Sequence, residues 1–135
     1  MRYRGEKGHA WESVKRWCRQ KFKHCYTCNA RNLVSFNANA GHYRPVAIVG
    51  SNNKKSWDER FIKLQCGRCN GPGQGEQAIF RANLVKELGE AVVDRFDREV
   101  AAKKVSPVKN WQEVIDCFDK LAFLEVENPR HIITI

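Results

Sequence analysis

Two pairs of cysteines constrain this chain more than any other feature of its sequence. Cys25 and Cys28 lie in "CYTC", and Cys66 and Cys69 lie in "CGRC". Two thiolates two residues apart can bind one metal ion from a tight turn, and two such pairs supply the four sulfurs of a tetrahedral zinc site. Such binding is worth about 10 kcal/mol in zinc peptides, as much as a typical folding free energy. We therefore expect structural zinc, with redox thiols or disulfides as the alternatives.

The segment between the two pairs holds 37 residues, more than the roughly 15 to 20 of a bare zinc ribbon. It should therefore have structure of its own. The runs "LVSF" and "HYRPVAIV" predict a hairpin of two strands with His42 near its turn. Asn70 follows Cys69 directly, so zinc would bring His42 and Asn70 toward a common point. Strands, zinc and the following helix predict a ββα-metal arrangement in a mainly helical α+β fold.

Helical periodicity predicts the remaining elements of a single domain over residues 1–135. Residues 1–24 form a basic amphipathic helix, 25–76 the zinc-bound core, and 77–135 C-terminal helices. Gly89 should end or bend the first of these, and the last should start at Ser106–Pro107. Cys18 and Cys117 lie outside the metal pairs, and we expect both to be buried as small apolar residues.

Charge is concentrated in the first half of the chain. Residues 1–70 have fifteen Lys and Arg against four Asp and Glu, whereas residues 71–135 have nine against eleven. A basic half joined to a near-neutral one indicates a surface for a polyanion, DNA or RNA above all. The alternative is a solvated basic surface that only maintains solubility.

Several classes of protein are disfavoured by composition. The longest apolar runs are far below the roughly 18 residues of a membrane span, and the first residues lack the apolar stretch of a signal peptide. We expect a cytoplasmic protein, in a reducing compartment where cysteines are usually metal ligands or free thiols.

The order of motifs indicates a family. The order C-x-x-C, A-G-H-Y-R, D-E-R, Q-C-x-x-C-N, F-R and L-G-E-A-V-V-D resembles the phage recombination endonucleases called NinG or Rap, from about Trp11 through the last helix. More distantly, the layout is similar to phage endonuclease VII, a zinc-stabilised dimer of the His-Asn-His (HNH) class. The resemblance implies Mg²⁺- or Mn²⁺-dependent cleavage of branched DNA, including Holliday junctions, in the cytoplasm of a bacterial host.

The resemblance also implies roles for two residues. His42 matches the family's general base, and a neutral imidazole, with an unperturbed pKa of about 6.5, can take a proton from water. Asn70 matches a ligand of the catalytic metal, and its amide oxygen suits Mg²⁺. The alternatives are that His42 caps a turn and Asn70 merely enters a helix.

Three positions depart from the family pattern. Asn39 stands where the family has Asp, Phe61 where it has Asn, and Glu76 where it has Asn after a glycine. Neutral oxygens alone would bind Mg²⁺ poorly, so we expect Glu76 to supply the carboxylate that Asn39 cannot. Otherwise Asn39 serves a tight turn, or the site is degraded and the protein is a catalytically weakened DNA-binding protein.

The predicted DNA contacts are basic side chains, which bind phosphates without reading sequence: Arg16, Arg19, Lys21, Lys23, Arg44, Lys54, Lys55 and Arg68. Trp57 is predicted to stack on an unpaired base. A junction has two symmetric strands, which favours a homodimer joined through the last two helices. In a monomer their apolar stripe would pack on the first helix instead. A zinc-bearing protein adaptor is the third hypothesis.

Overall fold

A computed structural model describes residues 3–127 of the chain. In this part, six helices surround a small antiparallel sheet of two strands. In chain order the elements are α1 (Gly5–Lys21), β1 (Asn39–His42), α2 (Val46–Val49), β2 (Ile62–Gln65), α3 (Gly67–Asn70), α4 (Gln77–Leu88), α5 (Glu90–Ala101) and α6 (Trp111–Glu127). The predicted mainly helical α+β class is confirmed. None of the helices in residues 3–127 has the length and apolar character needed to cross a membrane.

The predicted basic N-terminal helix is confirmed as α1, and α6 packs against it. Val14 and Trp17 of α1 lie in one apolar cluster with Ile115 and Phe118 of α6. The rings of Trp17 and Phe118 meet edge to face, with centroids 5.2 Å apart. The apolar stripe of α6 is therefore used within the chain, as in the monomeric alternative. Dimerisation stays a prediction.

The start of α6 differs from the predicted Ser106–Pro107. Asn110 caps the helix, because its Oδ1 accepts a hydrogen bond from the backbone N–H of Gln112. Pro107 instead lies in a β-bridge with Asn53. The C-terminal tail from residue 128 on, including Pro129, lies outside the described residues.

The sheet pairs other segments than the predicted hairpin. β1 and β2 run antiparallel, with Asn39 opposite Gln65 and His42 opposite Ile62. "LVSF" ends in a 3₁₀ turn over Ser35–Asn37, and "VAIV" forms α2 directly after Pro45. Only Val49 of α2 is buried, so the β-branched residues there do not form an apolar strand face. His42 is thus the last residue of β1, which pairs with β2 at the other end of the segment between the cysteine pairs.

A second apolar cluster packs α4 and α5 against residues that flank the sheet, Tyr43 after β1 and Phe61 before β2. Tyr43, Phe61, Phe80 and Phe96 are all buried in it. Phe61 stacks on Phe96 with ring centroids 3.9 Å apart, so the residue that replaces the family's Asn is a core residue here. Gly89 separates α4 from α5 at φ +91°, a conformation that favours glycine, which confirms the predicted break.

Candidate metal centre and active-site cleft

The four cysteines of the two C-x-x-C pairs meet at one point. The loop after α1 supplies Cys25 and Cys28, and the turn from β2 into α3 supplies Cys66 and Cys69. Their sulfurs all lie within 4.8 Å of one another, and those of Cys28 and Cys66 are 3.7 Å apart. A zinc ion with Zn–S bonds of about 2.3 Å in a tetrahedron requires sulfurs about 3.8 Å apart. The cluster therefore has the chemistry and spacing of a closed structural zinc site.

The loop around Cys25 favours a thiolate. Burial opposes ionisation of this thiol, but hydrogen bonds from Thr27 and nearby backbone groups outweigh it and lower its pKa to about 6. Thr27 Oγ1 lies 3.5 Å from the Cys25 sulfur. Since zinc binds the thiolate form, this environment favours metal binding at neutral pH.

The other two cysteines take no part in the cluster. Cys18 is buried between α1 and α6, as predicted, and burial raises its pKa to about 12. Cys117 is exposed, so the prediction that it is buried was wrong. It borders a surface groove that is also lined by Trp57 and Val108.

A cleft of about 650 Å³ lies between α1, the 3₁₀ turn, β1 and the end of α3. Three of the predicted catalytic residues line it: His42, Asn39 and Asn70. The full lining is Trp11, Lys15, Arg19, Ser35, Phe36, Asn39, Ala40, His42 and Asn70. Among the described residues the lining contains two cations and no carboxylate. Lys15 is paired with Glu12 at 2.8 Å, so Arg19 is the cation that an anionic ligand would meet.

Two contacts hold the His42 ring in a defined orientation. Its Nε2 lies 2.8 Å from the backbone carbonyl oxygen of Ser56. A carbonyl only accepts, so Nε2 is the protonated nitrogen and Nδ1 of the neutral ring keeps its lone pair. Trp11 stacks on the imidazole, with centroids 5.4 Å apart and planes 13° apart. His42 therefore presents Nδ1 as the acceptor.

The environment of His42 keeps it neutral. Burial against Trp11 disfavours the imidazolium and lowers the pKa to about 4, although the hydrogen bond to Ser56 partly opposes this. Nδ1 is consequently unprotonated throughout the physiological pH range. A phosphate bound in the cleft would favour the imidazolium and raise this pKa.

Asn39 and Asn70 provide neutral oxygen donors. Asn39 Nδ2 donates to the carbonyl oxygen of Phe36 at 2.7 Å, so this hydrogen bond uses the amide nitrogen and not Oδ1. Asn70 is exposed at the end of α3, next to Cys69 of the four-cysteine cluster. The cluster and the cleft therefore share one short helix.

Glu76 is not among the residues that line the cleft. It precedes α4 in the left-handed conformation (φ +49°), and its Oε1 lies 2.8 Å from the position that a Cβ on Gly73 would occupy. The carboxylate is thus packed over the loop between α3 and α4. Glu76 therefore does not line the cleft that contains Asn70, and the shared metal site of these two residues stays a prediction.

Sequence reasoning missed Trp11 and Lys15 as site residues. Trp11, Lys15 and Arg19 follow each other at intervals of four on α1. That spacing puts them on one face of a helix. The interval was a usable signal, but nothing in the sequence showed that this face meets β1.

The predicted DNA-binding residues separate into two groups. Four are bound to carboxylates: Arg16 to Asp119, Lys21 to Glu125, Arg44 to Asp97 and Lys55 to Glu99. The other four have no carboxylate partner in the described part of the chain: Arg19, Lys23, Lys54 and Arg68. Only Arg19 of all eight lines the His42 cleft.

Trp57 does not fit its predicted role. It is buried, its Nε1 donates to the carbonyl oxygen of Ser51, and its ring packs against Trp11 and Trp111. A base cannot reach this ring, so the prediction that Trp57 stacks on DNA was wrong.

These residues form a small α+β protein with a four-cysteine cluster that could hold a metal ion and, beside it, a cleft lined by His42. The family model described as "Bacteriophage Lambda NinG protein" matches residues 4–123. The chain belongs to the NinG family.

Individual phage proteins agree with this assignment. Protein ninG of Enterobacteria phage H19B is 28% identical over 88 residues, which are 65% of this chain and 42% of the relative. Protein ninG of Salmonella phage P22 is 33% identical over 75 residues, 56% of this chain and 34% of the relative. Protein ninG of Escherichia phage 933W is 33% identical over 73 residues, which are 54% of this chain and 34% of the relative.

The aligned part spans less than half the length of these relatives. No solved structure matches the chain.

Proposed function

We propose that this protein is a metal-dependent DNA endonuclease that cleaves branched DNA, such as Holliday junctions, during phage recombination. The single observation that supports the proposal is the orientation of His42. Its Nε2 donates to the Ser56 carbonyl, so Nδ1 is the ring nitrogen that can accept a proton, and His42 lines a cleft whose described lining residues include cations and no carboxylate.

Hydrolysis of a phosphodiester needs a nucleophile at neutral pH. Nδ1 of His42 takes a proton from a water molecule while that water attacks phosphorus. Ser56 stabilises the imidazolium that forms, because its carbonyl oxygen accepts from Nε2–H. Trp11 holds the ring plane, so the lone pair does not rotate away from the water. A positioned base of this kind contributes about 10² to 10⁴ in rate.

The neighbouring side chains would hold the phosphate and a cation. Arg19 supplies positive charge on the α1 side of the cleft, whereas Lys15 beside it is paired with Glu12. Asn39 and Asn70 would hold a hydrated Mg²⁺ or Mn²⁺, whose charge assists departure of the 3′ oxygen. Since the lining residues that the structure describes include no carboxylate, the negative charge that such an ion requires comes from the DNA phosphate. We infer that metal and DNA bind this cleft together.

The test is cleavage of a synthetic four-way junction beside a linear duplex of the same sequence, with Mg²⁺ or Mn²⁺. Paired cuts in the junction by the wild type, lost in His42→Ala and His42→Gln, are expected. His42→Gln preserves much of the side-chain volume and so separates loss of the base from loss of folding. Equal cleavage by the variants would contradict the proposed base.

A second candidate has an observation of its own. Within residues 3–127 no carboxylate lines the cleft, which favours a weakened relative that holds branched DNA without cutting it. Tight junction binding by the wild type, with no cuts in either metal, would favour this candidate over the nuclease.

A further inference from the structure

A second cleft, of about 520 Å³, adjoins the His42 cleft. The two share Arg19 and Ser35 as lining residues. Lys23 and Arg31 add two exposed cations to the second cleft, and Phe22 and Leu64 are among its apolar lining residues. Arg19, Lys23 and Arg31 have no carboxylate partner in residues 3–127, so their charges are available to a ligand.

Phe36 stands at the edge of the His42 cleft with its side chain in solvent. The residue is 79% exposed, the highest value among the large apolar residues of the described chain. Its backbone is nevertheless fixed: the Phe36 carbonyl accepts from Asn39, and the neighbouring Asn37 Oδ1 accepts from the backbone N–H of Gly67. An exposed phenyl ring on a well-anchored turn is a surface prepared for contact with a flat, apolar group.

We infer that the two clefts and Phe36 form one binding track for a single-stranded segment of DNA. Unpaired nucleotides leaving a branch run from the His42 cleft past Arg19 into the second cleft, and one base stacks on Phe36. This inference rests on the proposed function, because it takes the His42 cleft as the place where the backbone is held.

The chemistry of the track favours single strands over other occupants. Cations along a groove with an aromatic ring beside them match a phosphate backbone with exposed bases, since every base has a flat face for stacking. A paired base is already stacked on its neighbours and cannot cover Phe36. An acidic protein segment could pair with the cations, but it would offer no flat base to stack on the phenyl ring.

The experiment compares wild type, Phe36→Ala and Phe36→Trp. Phe123→Ala is the matched control, since Phe123 is an exposed aromatic residue on α6 that lines neither cleft. Affinity is measured by anisotropy for a duplex with a single-stranded flap of about ten nucleotides and for the same duplex with blunt ends, at one stated salt concentration. A second reading uses 5-iodouracil at successive flap positions, with the cross-linked residue identified by mass spectrometry.

We expect Phe36→Ala to weaken flap binding about tenfold without changing blunt-duplex binding, because one stacking contact is lost. Phe36→Trp and Phe123→Ala should bind the flap like wild type, and the cross-link should map to Phe36. Equal flap affinity of wild type and Phe36→Ala, or an effect of the same size on blunt duplex, would overturn the inference.

Failure of the inference is distinct from failure of the proposed function. If junctions are cut in a His42-dependent manner but Phe36 has no effect on flap binding, the track is wrong and the nuclease stands. If flap binding depends on Phe36 but no DNA is cut, the track stands and the protein is a DNA-binding relative of nucleases.

Discussion

His42 Nε2 lies 2.8 Å from the carbonyl oxygen of Ser56, fourteen residues later in the chain. This hydrogen bond selects the tautomer, because only a protonated nitrogen can donate to a carbonyl. His42, at the end of β1, therefore has an unprotonated Nδ1, which a general base requires. The same contact, together with the Trp11 ring, makes His42 part of the fold as well as of the cleft.

Trp11 should act as a positioning residue for His42. Trp11→Ala removes the stacked ring and should lower cleavage by at least tenfold through disorder of the imidazole, whereas Trp11→Phe should retain most activity. Nitrogen NMR of the His42 ring gives a reading independent of cleavage: the Nε2–H tautomer should dominate in wild type and in Trp11→Phe. A wild-type ring protonated at Nδ1 would contradict the assigned geometry.

Protonation of His42 should destabilise the fold in acid. Its folded-state pKa is about 4 and that of an unfolded chain is about 6.5, so between these values the unfolded state binds a proton that the folded state does not. Stability therefore falls as pH is lowered through this window. Urea midpoints near pH 7 and near pH 5 should differ more for wild type than for His42→Gln. Identical pH dependence in the two proteins would show that His42 is not buried in its neutral form.

Each chain should bind a single zinc ion through the four-cysteine cluster. Cys66→Ser should lose this ion and unfold, because metal binding in such a cluster is worth about 10 kcal/mol. Cys117→Ser is the matched control, since Cys117 is exposed and outside the cluster. Metal content by mass spectrometry and thermal melting with and without a chelator check the prediction. Full zinc content in Cys66→Ser would count against this ligand set.

Arg19 and Arg16 offer a matched pair on one helix. Arg19 lines both clefts, whereas Arg16 is bound to Asp119 of α6 at 3.2 Å. Arg19→Ala should weaken DNA binding. It should also reduce the slope of the logarithm of the binding constant against the logarithm of salt concentration by about one, the value for one lost phosphate contact. Arg16→Ala removes the same charge and should leave both nearly unchanged. If the two variants lose affinity equally, only net charge matters and the cleft is not the DNA site.

Asn39 and Glu76 can be separated by their positions. Asn39 lines the cleft and Glu76 does not, so Asn39→Ala should reduce metal-dependent cleavage more than Glu76→Gln. The sequence alone predicts the opposite order, because Glu76 is the charged residue of the two. Cleavage rates measured over a series of Mg²⁺ concentrations decide between them. A larger loss in Glu76→Gln would mean that Glu76 moves into the cleft when DNA binds.

Local sequence patterns were sufficient for much of this protein. The spacing of the cysteines predicts a cluster, since C-x-x-C places two sulfurs on one turn whatever surrounds it. Periodicity predicts α1 and the break at Gly89, because one apolar face and one residue tolerant of positive φ are short-range properties. The association of His42 with Asn70 also followed from sequence, through the cysteines on either side of the insert.

Contacts between distant segments settled the rest. The β-type runs near Val34 and Val46 are not the paired strands, because burial and pairing with residues 62–65 outweigh local propensity. His42 contacts Trp11 of α1 and the carbonyl of Ser56, and Arg16 pairs with Asp119, 103 residues away. No pattern in the sequence predicts these contacts, because the partners are distant in the chain. Residue type alone marked His42 as the candidate base and the Lys and Arg residues as candidate phosphate ligands. Tertiary packing determined which tautomer His42 adopts and which of those cations are paired with carboxylates.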